Sequence, residues 1–409
     1  MIATAVLAAD YAATLDLSDR SEVRVRSTQE LTAPAGQPLT PPLAPLSIDL
    51  YTQPQARLHV GDRVWEWVVL YTPWLMLPDI ELGVTPQFYQ VGGTSVALHD
   101  RLVRVMVGED ASYGLVNSAY LSPAQAVAGQ PPTIQPAAPP ATLLLDSSRT
   151  YATASVRASR LALFTAGVEY LLSGGADAAS RAVVPDQSGP HAWASLDYDV
   201  TRRDRLTTFA SVQRSDFGTS PCATVAGEAS GALCAPQDDL ALAEETLTHK
   251  VSQAVALSLG AGGAVASDRL SGDVPYNTVF FPVADAALRV RFGHEGRSLF
   301  QVYARLAPYV NLLDGIVANN LISEASIRDE LTERIAVRVA LGAAQTLPTD
   351  TPAATSLVRG EVELDYRASR WVELALGERG FWQEELGLGT FVSAFGFVGI
   401  TVREPTLHF

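Results

Sequence analysis

The feature that most constrains this chain is an alternation of apolar and polar residues with period two. From Asp10 to Ser27 the odd positions include Tyr11, Leu15, Leu17, Val23 and Val25, and the even ones Asp16, Arg20, Glu22, Arg24 and Arg26. The parity does not slip, so the segment reads as one long strand with an apolar and a charged face. Leu46, Ile48, Leu50, Ala56, Leu58 and Val60 alternate in the same way with Asp49, Gln53, Gln55, Arg57 and His59. So do Ala284 to Phe292 around Asp285, Arg289 and Arg291, and Val358 to Tyr366 around Arg359, Glu361, Glu363 and Asp365. No apolar run reaches the ~18 residues of a membrane helix. The nearest, from Val64 to Pro78, contains Glu66.

The connections add a second regularity. Short polar links (around Gly61, His99, Ala158, Thr201, His249, Gly293, Thr332 and Ala368) alternate with longer segments rich in Pro, Gly, Ala, Ser and Asp. Strands counted between them run from 10–28 to 388–403 and number about eighteen, with sixteen as the second choice. Alternation, even count and sorted loop lengths predict an all-β chain: a single antiparallel transmembrane β-barrel with short periplasmic turns and long extracellular loops. The barrel would occupy residues 10–409. Residues 1–9, small and apolar but without a basic region, read as the tail of a signal peptide cleaved near Ala8 or Ala9, or as an ordinary start. Charged residues are 18% of the chain and the net charge is −15. That balance lacks the basic footprint of a nucleic-acid binder.

The chain ends in a strand-like run, Phe391 to Arg403, and then Phe409. A terminal strand with a C-terminal aromatic resembles the assembly signal of Gram-negative outer-membrane β-barrel proteins, although Pro405 and His408 interrupt the alternation. At about eighteen strands the chain resembles porin-like and polysaccharide-export barrels in particular. The resemblance implies a multi-pass protein of the bacterial outer membrane. Its expected partners are lipid and lipopolysaccharide, the outer-membrane assembly machinery, a hydrophilic solute or polysaccharide, and periplasmic export components.

Inward-facing polar stripes are the candidate functional residues. They are Arg20, Arg24 and Arg26; Asp197 and Asp199; Arg289 and Arg291; Arg334 and Arg338; and Glu361, Glu363 and Asp365. Opposed stripes in a wet lumen would set up a transverse field. They read equally as cross-strand ion pairs, each worth ~0.2–1 kcal/mol. If Glu361, Glu363 and Asp365 are solvated, neutralising all three should leave folding nearly intact. Trp74 shares a face with Glu66 and is the candidate for stacking on sugar rings. The remaining aromatics, among them Trp67, Tyr71, Tyr198 and Tyr366, suit interfacial girdles. Cys222 and Cys234 suit a disulfide across a long loop, since no histidine stands near them to complete a metal site.

No catalytic constellation, metal site or cofactor motif is legible, and the chain is not expected to be an enzyme. The expected function is a hydrophilic pathway for solutes or a secreted polysaccharide. Mixed signs on the inward face favour a neutral or mixed-charge cargo over a strongly anionic one. The alternatives are a non-conducting structural or adhesive barrel plugged by its own loops, 113–142 or 217–241, and an outer-membrane hydrolase.

Overall fold

The structure is a computed structural model that describes residues 12–32, 46–78, 86–117, 142–182, 184–221, 233–269, 276–293, 296–310, 317–347, 355–385 and 389–409. Residues 1–9, most of the Pro-rich segment 123–142 and Cys222 lie outside the described residues. Eighteen antiparallel strands form one closed wall. The first six are β1 (Ala12–Thr32), β2 (Ser47–Gly61), β3 (Trp65–Tyr71 continued by Trp74–Leu77), β4 (Gln87–His99), β5 (Val103–Asn117) and β6 (Thr142–Arg157). Next come β7 (Ala162–Gly175), β8 (Gln187–Asp199), β9 (Asp204–Phe217), β10 (Gln237–Lys250), β11 (Val255–Arg269) and β12 (Asn277–Phe292). The last six are β13 (Ser298–Val310), β14 (Val317–Glu330), β15 (Ile335–Leu347), β16 (Thr355–Arg367), β17 (Val372–Glu385) and β18 (Gly389–Arg403). The eighteen-strand reading holds, and sixteen is set aside.

Closure comes from β1, which pairs with β2 on one side and with β18 on the other, from Ser18↔Arg403 to Thr32↔Thr390. Past Arg403, where Pro405 cannot donate to a ladder, the pairing lapses. It resumes one residue out of step at Thr14↔His408 and Leu15↔Leu407. The terminal Phe409 donates its N–H to Ala13 O at 3.0 Å, and its side chain is exposed.

The short turns share a local cause. In six of the eight, a Ser, Thr or Asp accepts from the N–H groups two and three residues ahead while its own N–H closes the turn. Ser369 Oγ, for example, accepts from Trp371 and Val372 at 3.1 Å each, and Ser369 N–H donates to Val372 O. Thr201, Ser252 and Thr332 repeat the pattern. At Asp62 the N–H groups of Trp65 and Val64 hold the carboxyl below the usual carboxylate range.

Two rungs of the wall consist of facing prolines. Thr72 donates to Val91 O on β4, so the next residue, Pro73, would donate toward β2. The register from Ala56↔Tyr71 to Thr52↔Leu75 places Pro54 opposite it. Both donors of that rung are missing, which is why β3 is broken there. By the same geometry Pro282 of β12 faces Pro308 of β13. The β12–β13 register ends just below them at Ala284↔Leu306, although β12 still pairs with β11 up to Asn277 and β13 with β14 up to Val310. The wall parts at this second rung.

Side chains alternate between an outer apolar face and a polar interior. Val107, Val168, Leu196, Val212, Leu259, Leu376 and Val398 are exposed on the outer face. Tyr198 and Tyr366 stand outward at the short-turn end, where a girdle belongs. Carboxylates interrupt this face, among them Asp19, Glu109, Glu245 and Glu378, on the parity of Val23, Val107, Leu247 and Leu376. A carboxylate toward lipid is destabilising according to its depth. Glu245→Gln and Glu378→Gln are therefore expected to raise barrel stability by roughly 1 kcal/mol each, measured by thermal unfolding in lipid vesicles. A fall in stability would show that this face does not meet lipid.

Candidate functional site

The interior is the candidate site, and its organising element is a chain of charges across the seam. Glu22, 3% exposed, lies between the guanidinium groups of Arg20 and Arg24 on the inward face of β1. Arg20 also donates to Glu363 on β16 at 2.9 Å, and Arg379 on β17 donates to the same carboxylate at 3.2 Å. Arg379 lies 3.3 Å from Glu361, which is 3.9 Å from Arg338 on β15. At the other end of β1, Arg26 donates to the buried Asp49 of β2 at 3.1 Å.

This chain passes over β18, which supplies rings in place of charges. Phe397 lies beneath Arg379 at 4.7 Å and Arg20 at 5.7 Å, and Phe395 beneath Arg24 at 5.2 Å. Guanidinium groups over ring faces add an attraction to the ion pairs. The fit requires Gly377 on β17: a Cβ there would come within 2.6 Å of the Phe397 ring.

A second network lines the opposite wall. Arg149 on β6 bridges Asp110 at 2.6 Å and Glu169 at 3.7 Å, and Glu169 is 2.9 Å from His191. Nearer the short turns, Glu66 gathers Arg104 at 3.0 Å, His99 at 3.1 Å and His59 at 3.5 Å.

The half of the interior toward the long loops is mixed, with buried polar groups such as Asp49, Gln187, Asp238 and Asn320 standing beside apolar clusters. There Phe217, Leu242, Ala264, Ala266, Phe281 and Val283 line the bore from β9 to β12, and Val310 and Val317 of the β13–β14 hairpin join the same buried cluster. The parting above Pro282 and Pro308 is thus filled by apolar side chains. Ile322, Ala344 and Leu357 form a second cluster with Phe381, and Trp74 and Met76 a third with Tyr51, Tyr89 and Leu145.

The structure brings some of the sequence-derived candidates together and separates others. Arg20, Arg24, Arg338, Glu361 and Glu363 share the seam network. Asp365 lies on the same face with no cation in ion-pair range among the described residues. Asp197 accepts from Thr207, and Asp199 pairs with Arg205 at 2.7 Å, both near the short turns. Arg289 and Arg291 point inward at that end, and Arg334 lies in the 331–334 turn. Trp74 points inward but is 9% exposed, tilted against Tyr51 and Tyr89 at 6.1 and 5.6 Å. Glu22, Asp49, Arg149, Glu169 and Arg379 carry the networks and were not singled out from sequence. Parity places them inside, but only the cross-strand register shows whom they meet.

An eighteen-stranded closed barrel with an outer apolar band and a charged interior is a porin-type barrel of the outer membrane. The chain matches the EpsX exopolysaccharide export family over residues 103–406, and it belongs to that family. Three solved Pseudomonas aeruginosa structures are similar to it. OpdK with vanillate shares 11% identity over 96% of this chain and 99% of that one, with a TM-score of 0.51. OccK2 (OpdF) shares 10% over 96% and 98%, with 0.51, and OccK5 (OpdH) 12% over 96% and 98%, with 0.50. At such identities the likeness shows the fold alone. No curated protein matches the chain.

The network corrects the expectation that the three carboxylates of β16 are uniformly solvated. Glu363 is 4% exposed and holds two arginines. Removing one partner of a buried ion pair costs ~3–5 kcal/mol. Glu22→Gln and Glu363→Gln should each destabilise the folded barrel by about 2–3 kcal/mol, the amide keeping part of the hydrogen bonding. Asp365→Asn should be near neutral. Urea unfolding in detergent separates these outcomes, and equal effects at all three positions would contradict the network.

Proposed function

We propose that the barrel is an outer-membrane conduit for a hydrophilic polymer, the exopolysaccharide strand that membership of the EpsX family suggests. The observation that carries this reading is the interior. Charged and hydrogen-bonding side chains line the bore from the short turns to mid-height, and eighteen strands enclose a space too wide for side chains alone to fill. Such a lining exchanges bonds with water and with a sugar's hydroxyl groups at little cost.

The apolar clusters toward the long loops support a closed or narrowed resting state, since hydrophobic constrictions gate by dewetting. Phe217 and Phe281 are the largest rings in the cluster beside the parted wall. The double change Phe217→Ala and Phe281→Ala should widen the bore and raise single-channel conductance in a planar bilayer at least twofold. Absence of current in both proteins would overturn the conduit and favour a barrel plugged by its own loops.

Phe409 fits a role as the assembly signal read by the outer-membrane insertion machinery, because its side chain is free while its backbone continues the edge of β18 along β1. Deleting it should lower the amount of inserted barrel several-fold on quantitative immunoblots of membranes, and unchanged insertion would remove that role.

A further inference from the structure

The connections between strands are sorted by charge along the sequence. The eight short connections (62–64, 100–102, 158–161, 200–203, 251–254, 293–297, 331–334 and 368–371) hold eight arginines and four acidic residues. The nine long ones (33–46, 78–86, 118–141, 176–186, 218–236, 270–276, 311–316, 348–354 and 386–388) hold one arginine and eight acidic residues. This contrast lies within a chain of net charge −15, so the basic end is a local exception.

The interior continues it. Ten arginines point into the bore within a few residues of the short turns, from nine different strands, among fewer inward carboxylates that include Asp16, Glu66, Asp197, Asp199 and Glu373. Half are neutralised by neighbours, as Arg104 is by Glu66 at 3.0 Å and Arg403 by Glu373 at 3.2 Å. Arg57, Arg157, Arg289, Arg291 and Arg367 are exposed and make no ion pair among the described residues. They come from β2, β6, β12 and β16, spaced around the rim.

We infer that this rim is a receiving collar for a polyanionic strand, a polysaccharide bearing carboxylate groups, which engages the short-turn end first. The inference rests on the conduit reading and adds to it the charge of the cargo and the end at which the cargo is captured. Guanidinium is the side chain that suits such a ligand, because its planar fork matches a carboxylate with two parallel N–H donors and it stays charged at any working pH. Arg289 and Arg291, two residues apart on one strand, lie within about a Debye length of each other, ~8 Å at physiological salt, while Arg57, Arg157 and Arg367, on strands at least four places away, meet other units of an extended polyanion. Clefts of one sign raise the local concentration of the opposite charge and the rate of encounter.

In outer-membrane barrels the short turns face the periplasm, so the collar stands where a newly made strand would arrive. The field itself does no work on the strand. It sets which end captures it, and net movement comes from polymer supplied at the periplasmic side. The mixed signs read from the sequence persist at the mouth, where the unpaired arginines stand among a few carboxylates, such as Asp16 and Asp197, that are likewise unpaired among the described residues, while the charges at mid-height are paired.

The test uses the whole chain in a planar bilayer, inserted in one orientation, with a short polygalacturonate oligomer and a neutral dextrin of equal length. Polygalacturonate should block the current at an at least tenfold lower concentration from the short-turn side than from the long-loop side, and dextrin should show no such sidedness. Changing Arg57, Arg157, Arg289, Arg291 and Arg367 to Gln should abolish the difference and leave the dextrin block unchanged. Binding of the same oligomer to the detergent-solubilised protein, followed by calorimetry in rising salt, reads the collar even in a barrel that passes no current. Salt-sensitive binding lost in the five-residue variant, without conductance, would support the collar and refute the conduit. Equal block from both sides, or binding indifferent to the five changes, would overturn the collar and leave the conduit standing.

Discussion

Everything in this molecule depends on closing the sheet. A wall of eighteen strands in an apolar surrounding has two edges, and each unpaired N–H or C=O there costs several kcal/mol because no water is present to replace the missing partner. β1 removes both edges by pairing with β18 along most of its length. Behind that ladder, Arg20, Glu22, Arg24, Glu363 and Arg379 join the strands on either side of β18 over the rings of Phe395 and Phe397. The seam is therefore held twice, by backbone in the wall and by charge within it. Charged side chains can do this only because the wall keeps them from lipid, so the closure and the polar interior support each other.

The same wall is weakened at two places. A rung of two prolines supplies no donors; the first stands midway along β2 and the second toward the long loops. At Pro54 and Pro73 the register recovers within two residues. At Pro282 and Pro308 it does not, and the β13–β14 hairpin adds Val310 and Val317 to an apolar mass inside the bore. The interior thus changes character with height, from exposed arginines among a few carboxylates at the short-turn mouth, through paired charges, to a far half where apolar clusters stand beside buried polar groups. A hydrophilic strand moving along it would meet attraction first and the tightest passage last.

Much of the fold was legible because a barrel repeats one instruction. Period two gives the face of every residue, and the short polar links give the ends of the hairpins. Tight hairpins then fix most registers, which is why the alternations read from Ala284 to Phe292 and from Val358 to Tyr366 fall within β12 and β16. The interior was legible only as a list of inward residues. Glu22 and Arg379 have the right parity, but their partners lie across the closing seam, where no hairpin connects the strands. Trp74 shows the same limit: parity turned it inward, and its burial against Tyr51 and Tyr89 depends on neighbours from two other strands. The proline rungs were visible as two prolines within strands, yet their opposition needed the register. The sorting of charge by height could have been found from sequence, by counting short and long links separately.

We propose this barrel as the route by which a hydrophilic polymer leaves the cell. That route is tested most directly in polymer-producing cells depleted of the chain, by measuring polysaccharide outside the cell and in the periplasm while synthesis continues. Extracellular polymer should fall while periplasmic polymer accumulates, and re-expression of the chain should reverse both. Undiminished release in depleted cells would contradict that route.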